Sequence, residues 1–225
     1  MSVKLISYSQ SADSGETSNL QDLVAYCARV SNPANQHNKE TNERLIKYLI
    51  RNQHWSPLEM VSICLEINTT RDICRQILRH RSFSFQEFSQ RYAEASLGFE
   101  YKEARLQDHK NRQNSISITD DDSDSMKEAW KQKQQEIMEK SQEVYSWALE
   151  NGIAKEQARA VLPEGITMSR MYMSGSLRSW VHYLQLRTGN GTQKEHQEIA
   201  TMCAQEISKV FPMILDLVKL SNESL

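Results

Sequence analysis

Val61-Ser62-Ile63-Cys64-Leu65-Glu66-Ile67 alternates apolar and polar residues without a break. Side chains along a strand point to opposite faces in turn, so the stretch predicts a strand burying Val61, Ile63, Leu65 and Ile67. Thr69-x-x-Asp72 follows at once and resembles a helix-start box, with aspartate where glutamate is usual. The helix it opens is expected to end near Arg79.

Upstream, Val3–Tyr8 reads as a short strand and Leu20–Val30 as a helix with Leu20, Val24, Ala25 and Ala28 on its apolar face. Lys39–Gln53 reads as a second helix, with Leu45, Tyr48 and Leu49 on one side. His54-Trp55-Ser56-Pro57 breaks the chain, because proline disfavours helix in the residue before it. Downstream, residues 82–96 keep no period and predict an ordered loop or irregular strand. A polar excursion over about 102–124 closes on Asp120-Asp121-Asp122-Ser123-Asp124 and is expected to be exposed. Ser125–Glu150 predicts a long helix, N-capped by Ser125 and ended by Asn151-Gly152. Lys155–Leu162 reads as a short helix stopped by Pro163, Ile166–Met173 as a strand and Ser176–Arg187 as a helix. A last helix is expected over Gln193–Leu220, kinked at Pro212, with Ile199, Met202, Cys203, Val210, Ile214 and Val218 facing inward. Strands scattered irregularly among helices predict one α+β domain over residues 1–225, a small sheet flanked by helices.

Composition narrows the functions. The formal net charge of −2 gives no general attraction to nucleic acid or anionic membranes, so any anion site must be built from local arginines. No stretch approaches the ~20 apolar residues of a membrane helix, and the N-terminus lacks the pattern of a signal peptide. A soluble cytoplasmic protein is the expectation. Cys27, Cys64, Cys74 and Cys203 are scattered through apolar runs with no C-x-x-C pair, which argues for reduced core thiols and no metal site. Glycine is scarce, and neither G-x-G-x-x-G nor a P-loop occurs. A nucleotide cofactor, if bound, is held by some other device.

That device is sought among the arginines. On a helix turning roughly 100° per residue, Ile73, Cys74, Ile77 and Leu78 share one face and Arg75, Gln76 and Arg79 the other. Arg79-His80-Arg81 then leads into Ser82-Phe83-Ser84-Phe85-Gln86-Glu87-Phe88-Ser89-Gln90-Arg91-Tyr92. Cations at a helix C-terminus are favourable in themselves, and a basic nucleic-acid patch is a second reading, weakened by Glu87 and the lack of another basic run. The third is that guanidiniums, hydroxyls and an amide converge on a small anion, since arginine binds phosphate in a bidentate way. From Ser176, Leu177, Trp180, Val181 and Leu184 share one helix face, Arg178, His182 and Gln185 another, and Arg187 returns toward the Trp180 side. A guanidinium on a buried flank needs an anion, a carboxylate or a path to solvent.

Arg79-His80-Arg81, seven residues and Ser89 together match the RHR-x7-S signature of the flavin-dependent thymidylate synthases. Ala28-Arg29-Val30-Ser31, His54-x-Ser56-Pro57-x-Glu59, Ala158-Arg159-x-x-Leu162-Pro163 and Leu186-Arg187 resemble family segments in the same order, over roughly residues 20 to 215. The polar excursion and Arg187-Thr188-x-Asn190-Gly191-Thr192-Gln193 are most similar to members from large DNA viruses and phages.

The resemblance implies reductive methylation of dUMP to dTMP, with 5,10-methylenetetrahydrofolate as carbon donor and FAD, reduced by NADPH or NADH, as hydride carrier. It implies that Gln76, Arg79, Glu87, Ser89, Gln90, Arg91, Arg159 and Arg187 hold dUMP. Ser31, Ser56, Arg79, His80, Arg81, Glu87, Ser176, Leu177, Arg178, His182 and Asn190 would hold FAD, and His54 would lie near folate and flavin. Ser176 and His182 stand where many members carry asparagine. Arg187 would contact the pyrimidine and favour its ionisation at N3. Sites at the subunit junctions of a homotetramer are implied, with neither nucleic acid nor membrane as partner, and the host cytoplasm as location for a viral member. The rivals are a non-catalytic nucleotide-binding module and a nucleic-acid binder.

Overall fold

The structure is a computed structural model that describes residues 1–12, 19–118 and 123–217. Four strands form its main sheet: β1 (Ser2–Tyr8), β2 (Ser62–Thr70), β3 (Ser84–Glu87) and, later in the chain, a strand at Met168–Ser176. A small hairpin of β4 (Arg105–Gln107) and β5 (Ser115–Ser117) precedes that strand, which is therefore β6. The sheet order is β1-β2-β6-β3, with every neighbour antiparallel. The alternation in β2 does what its period requires. Val61, Ile63, Leu65 and Ile67 are essentially inaccessible, and the last three lie opposite Gly175, Met173 and Met171 of β6. A Cβ at Gly175 would come within 2.5 Å of the Phe83 ring, so only glycine allows that ring to lie on the sheet.

The helices are α1 (Leu20–Ala28), α2 (Asn42–Arg51), α3 (Arg71–Ile77), α4 (Ser123–Glu150), α5 (Lys155–Ala158), α6 (Leu177–Arg187) and α7 (Lys194–Ser208). Leu20, Val24, Ile73, Ile77, Trp180, Leu184, Ile199 and Phe211 pack into one core on the sheet. The placement of α3 and α6 decides where the chemistry can be. Each follows its strand without a loop, and because β2 and β6 are antiparallel, Thr70 and Ser176 lie at opposite ends of the pair. The helices, about 10 and 16 Å long, fold back along a strand pair of about 30 Å, so their C-termini converge.

Several expectations are corrected. The first helix stops at Ala28, two residues early. In α2 the buried positions are Asn42, Ile46 and Leu49, while Tyr48 is exposed. A polar contact sets that face: Arg29 donates to Asn42 Oδ1 (2.5 Å), and Asn42 Nδ2 donates to Asp22 Oδ1 (2.7 Å). The cap of α3 is Thr70, whose hydroxyl donates to Asp72 (2.5 Å), whereas Thr69 is buried in β2. Ser125 lies inside α4, which starts at Ser123. α7 ends at Ser208 and helix resumes only at residues 214–217, so the expected single helix is broken around Pro212 rather than kinked there. Ile199, Cys203 and Ile214 are buried as expected, and Val218 lies outside the described residues. Residues 84–87 resolve into β3.

The polar excursion is partly anchored. Lys102 N donates to Gln134 Oε1 (2.7 Å), Trp130 Nε1 donates to the Lys102 carbonyl (2.9 Å), and Arg105 reaches Glu195 on α7 (2.5 Å). Asp120–Asp122 lie outside the described residues.

Candidate active site

Where α3 and α6 converge, Arg187 Nε donates to His80 Nε2 at 2.9 Å. His80 Nε2 must therefore be an acceptor, which places the proton of the neutral ring on Nδ1. Burial, reinforced by the charges of Arg187 and Arg79, holds the His80 pKa down to about 4. Arg187 thus has one edge seated on a neutral ring and both Nη groups left for something else. Among the described residues no carboxylate pairs with it, and burial lowers its pKa.

A polar chain runs beneath this pair. Tyr183 meets His80 edge-on at 4.9 Å between centroids, and its hydroxyl lies 3.1 Å from His196 Nε2. His196 Nδ1 lies 3.2 Å from Gln76 Oε1, and Gln76 Nε2 donates to Gln193 Oε1 at 2.7 Å. Gln193 Nε2 donates to Glu195 Oε2 (2.9 Å), which Arg105 secures from the other side. His196 is wholly inaccessible, and burial, then Arg187 and His80, push its pKa to about 3. None of Tyr183, Gln193 or His196 was identified as a site residue from the sequence. One signal existed: His196 shares the inward stripe of α7 with Ile199, Ala200 and Cys203, an unusual place for a histidine.

A second region lies at the start of α3. Arg71, Arg75, Gln90, Glu156, Arg159 and Glu164 surround an open cleft of about 360 Å³. Gln90 is 3% exposed, and its Nε2 has no hydrogen-bond partner. Such a donor costs roughly 1–3 kcal/mol unless something accepts from it. Arg75 pairs with Glu164 (2.7 Å), Arg91 approaches Glu156 (3.6 Å), and Arg159 Nε donates to the Glu156 carbonyl (3.3 Å). Glu87 accepts from Ser169 (3.0 Å) and lies 3.8 Å from Arg71. Ser89 Oγ accepts from Arg91 N (3.4 Å) at a turn that leaves Tyr92 82% exposed. The residues the resemblance gave to dUMP therefore fall into two groups: Gln76, Arg79 and Arg187 in the first region, and Glu87, Ser89, Gln90, Arg91 and Arg159 at or near the second.

The family described as thymidylate synthase complementing protein matches residues 14–213 of the chain. The probable flavin-dependent thymidylate synthase of Paramecium bursaria Chlorella virus 1 is 48% identical over 214 residues, 95% of this chain and 97% of that protein. The flavin-dependent thymidylate synthase of Synechocystis sp. is 51% identical over 200 residues, 89% of this chain and 90% of its own length. The chain belongs to the flavin-dependent thymidylate synthases, and it is an enzyme. Among solved structures, the UMP/dUMP methylase PolB of Streptomyces cacaoi bound with 5-Br UMP aligns with a TM-score of 0.81 at 26% identity, over 98% of this chain and 94% of that one. Its complex with 5-Br dUMP aligns with a TM-score of 0.79 at 28% identity, over 98% and 95%.

The residues that family resemblance gave to the flavin lie along α6 and the segments beside it. Ser176 caps α6 by accepting from Ser179 N (3.3 Å), and Leu177 is buried in the core. Arg178 pairs with Glu59 (2.5 Å), next to Ser56 in a 3-10 turn over Ser56–Glu59. His182 is exposed and meets Trp55 edge-on at 4.4 Å, and His54 meets Tyr48 at 5.9 Å. Arg79 and Arg81 are exposed, with no carboxylate partner among the described residues. Cationic donors without counter-ions fit a pyrophosphate, and exposed aromatic edges fit a planar ring. Ser31 stands apart, in a cleft of about 540 Å³ between α1 and α2 with Arg29, Asn32 and Arg44. Asn190 is exposed in the turn before α7. Among the described residues no group of three or more His, Cys, Asp or Glu could hold a metal, and no helix is long and apolar enough to cross a membrane.

Proposed function

We propose that this enzyme converts dUMP to dTMP in the cytoplasm, taking a methylene from 5,10-methylenetetrahydrofolate and reducing it with FAD that NADPH or NADH recharges. Arg187 is the observation that carries the reading. It is a half-buried cation whose only polar side-chain contact among the described residues is a neutral imidazole, in the helix that follows the sheet's central strand pair. Such a charge calls for an anion, and a pyrimidine ionised at N3 would supply one; the guanidinium in turn stabilises that ionised form. His80 accepts the Arg187 Nε–H and so aims the two Nη groups, while Gln76 offers its remaining amide hydrogen and lone pair to the base edge.

The second region suits the phosphate, with Arg159 and the unpaired Gln90 amide as donors and Ser89 and Arg91 beside them. No hydrogen bond or ion pair among the described residues links the two regions, so a homotetramer that brings region one of one copy to region two of another would complete the site. Tyr92, Trp130, Ile137 and Trp147 are large apolar side chains left exposed, as an assembling surface requires. Bound FAD supplies the hydride chemistry, and the protein contributes binding, orientation and charge. Arg79, Arg81 and Arg178 would hold its phosphates, His182 and Ser176 its polar edges, and His54 would border the folate.

No side chain acts as a nucleophile in this reading. Burial pushes the Cys74 thiol up to about 12 and raises Cys203, Cys27 and Cys64 as well. Among the described residues Ser89 makes no hydrogen bond to a base; its hydroxyl accepts from the Arg91 backbone amide. The test is to purify the protein, record its flavin absorption bands, and assay thymidylate from dUMP, methylenetetrahydrofolate and NAD(P)H. A colourless protein that ignores added FAD, or a yellow one that yields no thymidylate, overturns the proposal.

A further inference from the structure

The chain of hydrogen bonds beneath Arg187 has a single consistent direction. Gln76 Nε2 donates to Gln193, so Gln76 Oε1 faces His196 and accepts from Nδ1. His196 must then carry its proton on Nδ1 and accept at Nε2, which the Tyr183 hydroxyl satisfies as donor. Every polar atom in the buried pair is used, and the partners fix the tautomer. We propose that His196 is a positioning residue that holds the Gln76 carboxamide in register for the nucleotide. This rests on the dUMP reading above, since Gln76 is there a nucleotide ligand and His196 is not.

Two features separate this from ordinary core packing. A leucine would fill the space beside Ile199 and Ala200 without the cost of burying an imidazole, yet the position holds a wholly inaccessible histidine. Its partner Tyr183 is equally buried and touches the His80 ring, so the same residue pair supports both the Gln76 amide and the seat of Arg187. Burial and the nearby Arg187 charge keep the ring neutral, the form that this bonding pattern requires.

The experiment is a double-mutant cycle on the FAD-loaded full chain, with dUMP affinity read by calorimetry and folding checked by thermal melting. His196→Leu is expected to weaken dUMP binding about tenfold in the parent, the scale of one lost buried hydrogen bond. In a Gln76→Leu background the same change is expected to cost less than about twofold, because nothing remains to position. His196→Asn, which keeps a donor near the Nδ1 position, is expected to bind within about threefold of the parent. Equal losses in both backgrounds, or an asparagine no better than leucine, overturn the proposal. Should His196→Leu fail to fold, Tyr183→Phe replaces it in the cycle. A loss that vanishes without Gln76 supports the positioning role, and a loss that persists overturns it. A parent protein that binds no dUMP at all overturns the function reading and this inference with it. Binding in the parent with an additive cycle overturns the inference alone.

Discussion

The region around Arg187 and the cleft around Arg159 both carry guanidiniums, but they are built on opposite terms. Around Arg187 the supporting groups are buried or half-buried, neutral and joined end to end: His80, Tyr183, His196, Gln76 and Gln193 leave their hydrogen bonds little freedom. Around Arg159 the arginines are half-buried (Arg71, Arg159) or exposed (Arg75, Arg91) and held by carboxylates and a carbonyl, and the buried donor Gln90 Nε2 is unpaired. A preorganised cation in a dry setting suits a charge that develops during reaction, where reorganisation would be costly. An open arginine cluster suits a phosphate that is charged from the start and needs only affinity. Under the proposed function, the contrast gives chemistry to the first region and grip to the second.

The harshest test of that division is Arg187→Ala. Losing a preorganised cation is expected to cost about 2–4 kcal/mol, or roughly 30- to 900-fold in turnover, with the fold and FAD binding retained. Near-normal turnover would remove the chemical role from the first region. Arg159→Ala should act differently, raising KM for dUMP by roughly 10- to 150-fold while kcat changes little, as loss of uniform binding does. A fall in kcat with unchanged KM would erase the distinction between the regions.

Ser89→Ala should cost about 1–3 kcal/mol, some 5- to 150-fold in rate, and a variant lacking all four cysteines should still turn over. Losing a true nucleophile can cost on the order of a millionfold, so an inactive Ser89→Ala or cysteine-free enzyme that still binds FAD and dUMP would sink the hydride-only reaction.

A separate test is one of stability. His80 and His196 have pKa values lowered from 6.5 to about 4 and about 3 in the folded chain. Below pH 6.5 the unfolded chain takes up protons that the folded chain refuses, so stability falls as pH drops from about 6.5 toward 3 and levels off below. Unfolding midpoints across that range should show the slope, and His196→Leu should flatten part of it. An unchanged slope would show that His196 is not held neutral by the fold.

The two regions also differ in how far they could be read in advance. Arg79, Arg159 and Arg187 stand in short local patterns, and a signature spaced along the chain survives without coordinates. The Tyr183–His196–Gln76 chain does not, because its members are far apart in sequence and become neighbours only when α7 packs against α3 and α6. The same limit produced the error in α2. Periodicity counted Leu45 and Tyr48 as inward, but a buried contact from Arg29 and Asp22 to Asn42 turned the helix otherwise.

By itself the sequence determined the period-two strand at 61–67, the helices that follow Thr70 and Ser176, the absence of a glycine-rich cofactor loop and the family signature. These are properties of neighbouring residues, and neighbours obey steric and hydrophobic rules wherever they are placed. Only the tertiary structure decided that α3 and α6 point their ends at each other, because that follows from β2 and β6 pairing antiparallel with Thr70 and Ser176 at opposite ends. Only it decided that Arg187 rests on a neutral His80, since burial and the charges around a ring set its protonation, and neither exists before the chain is folded.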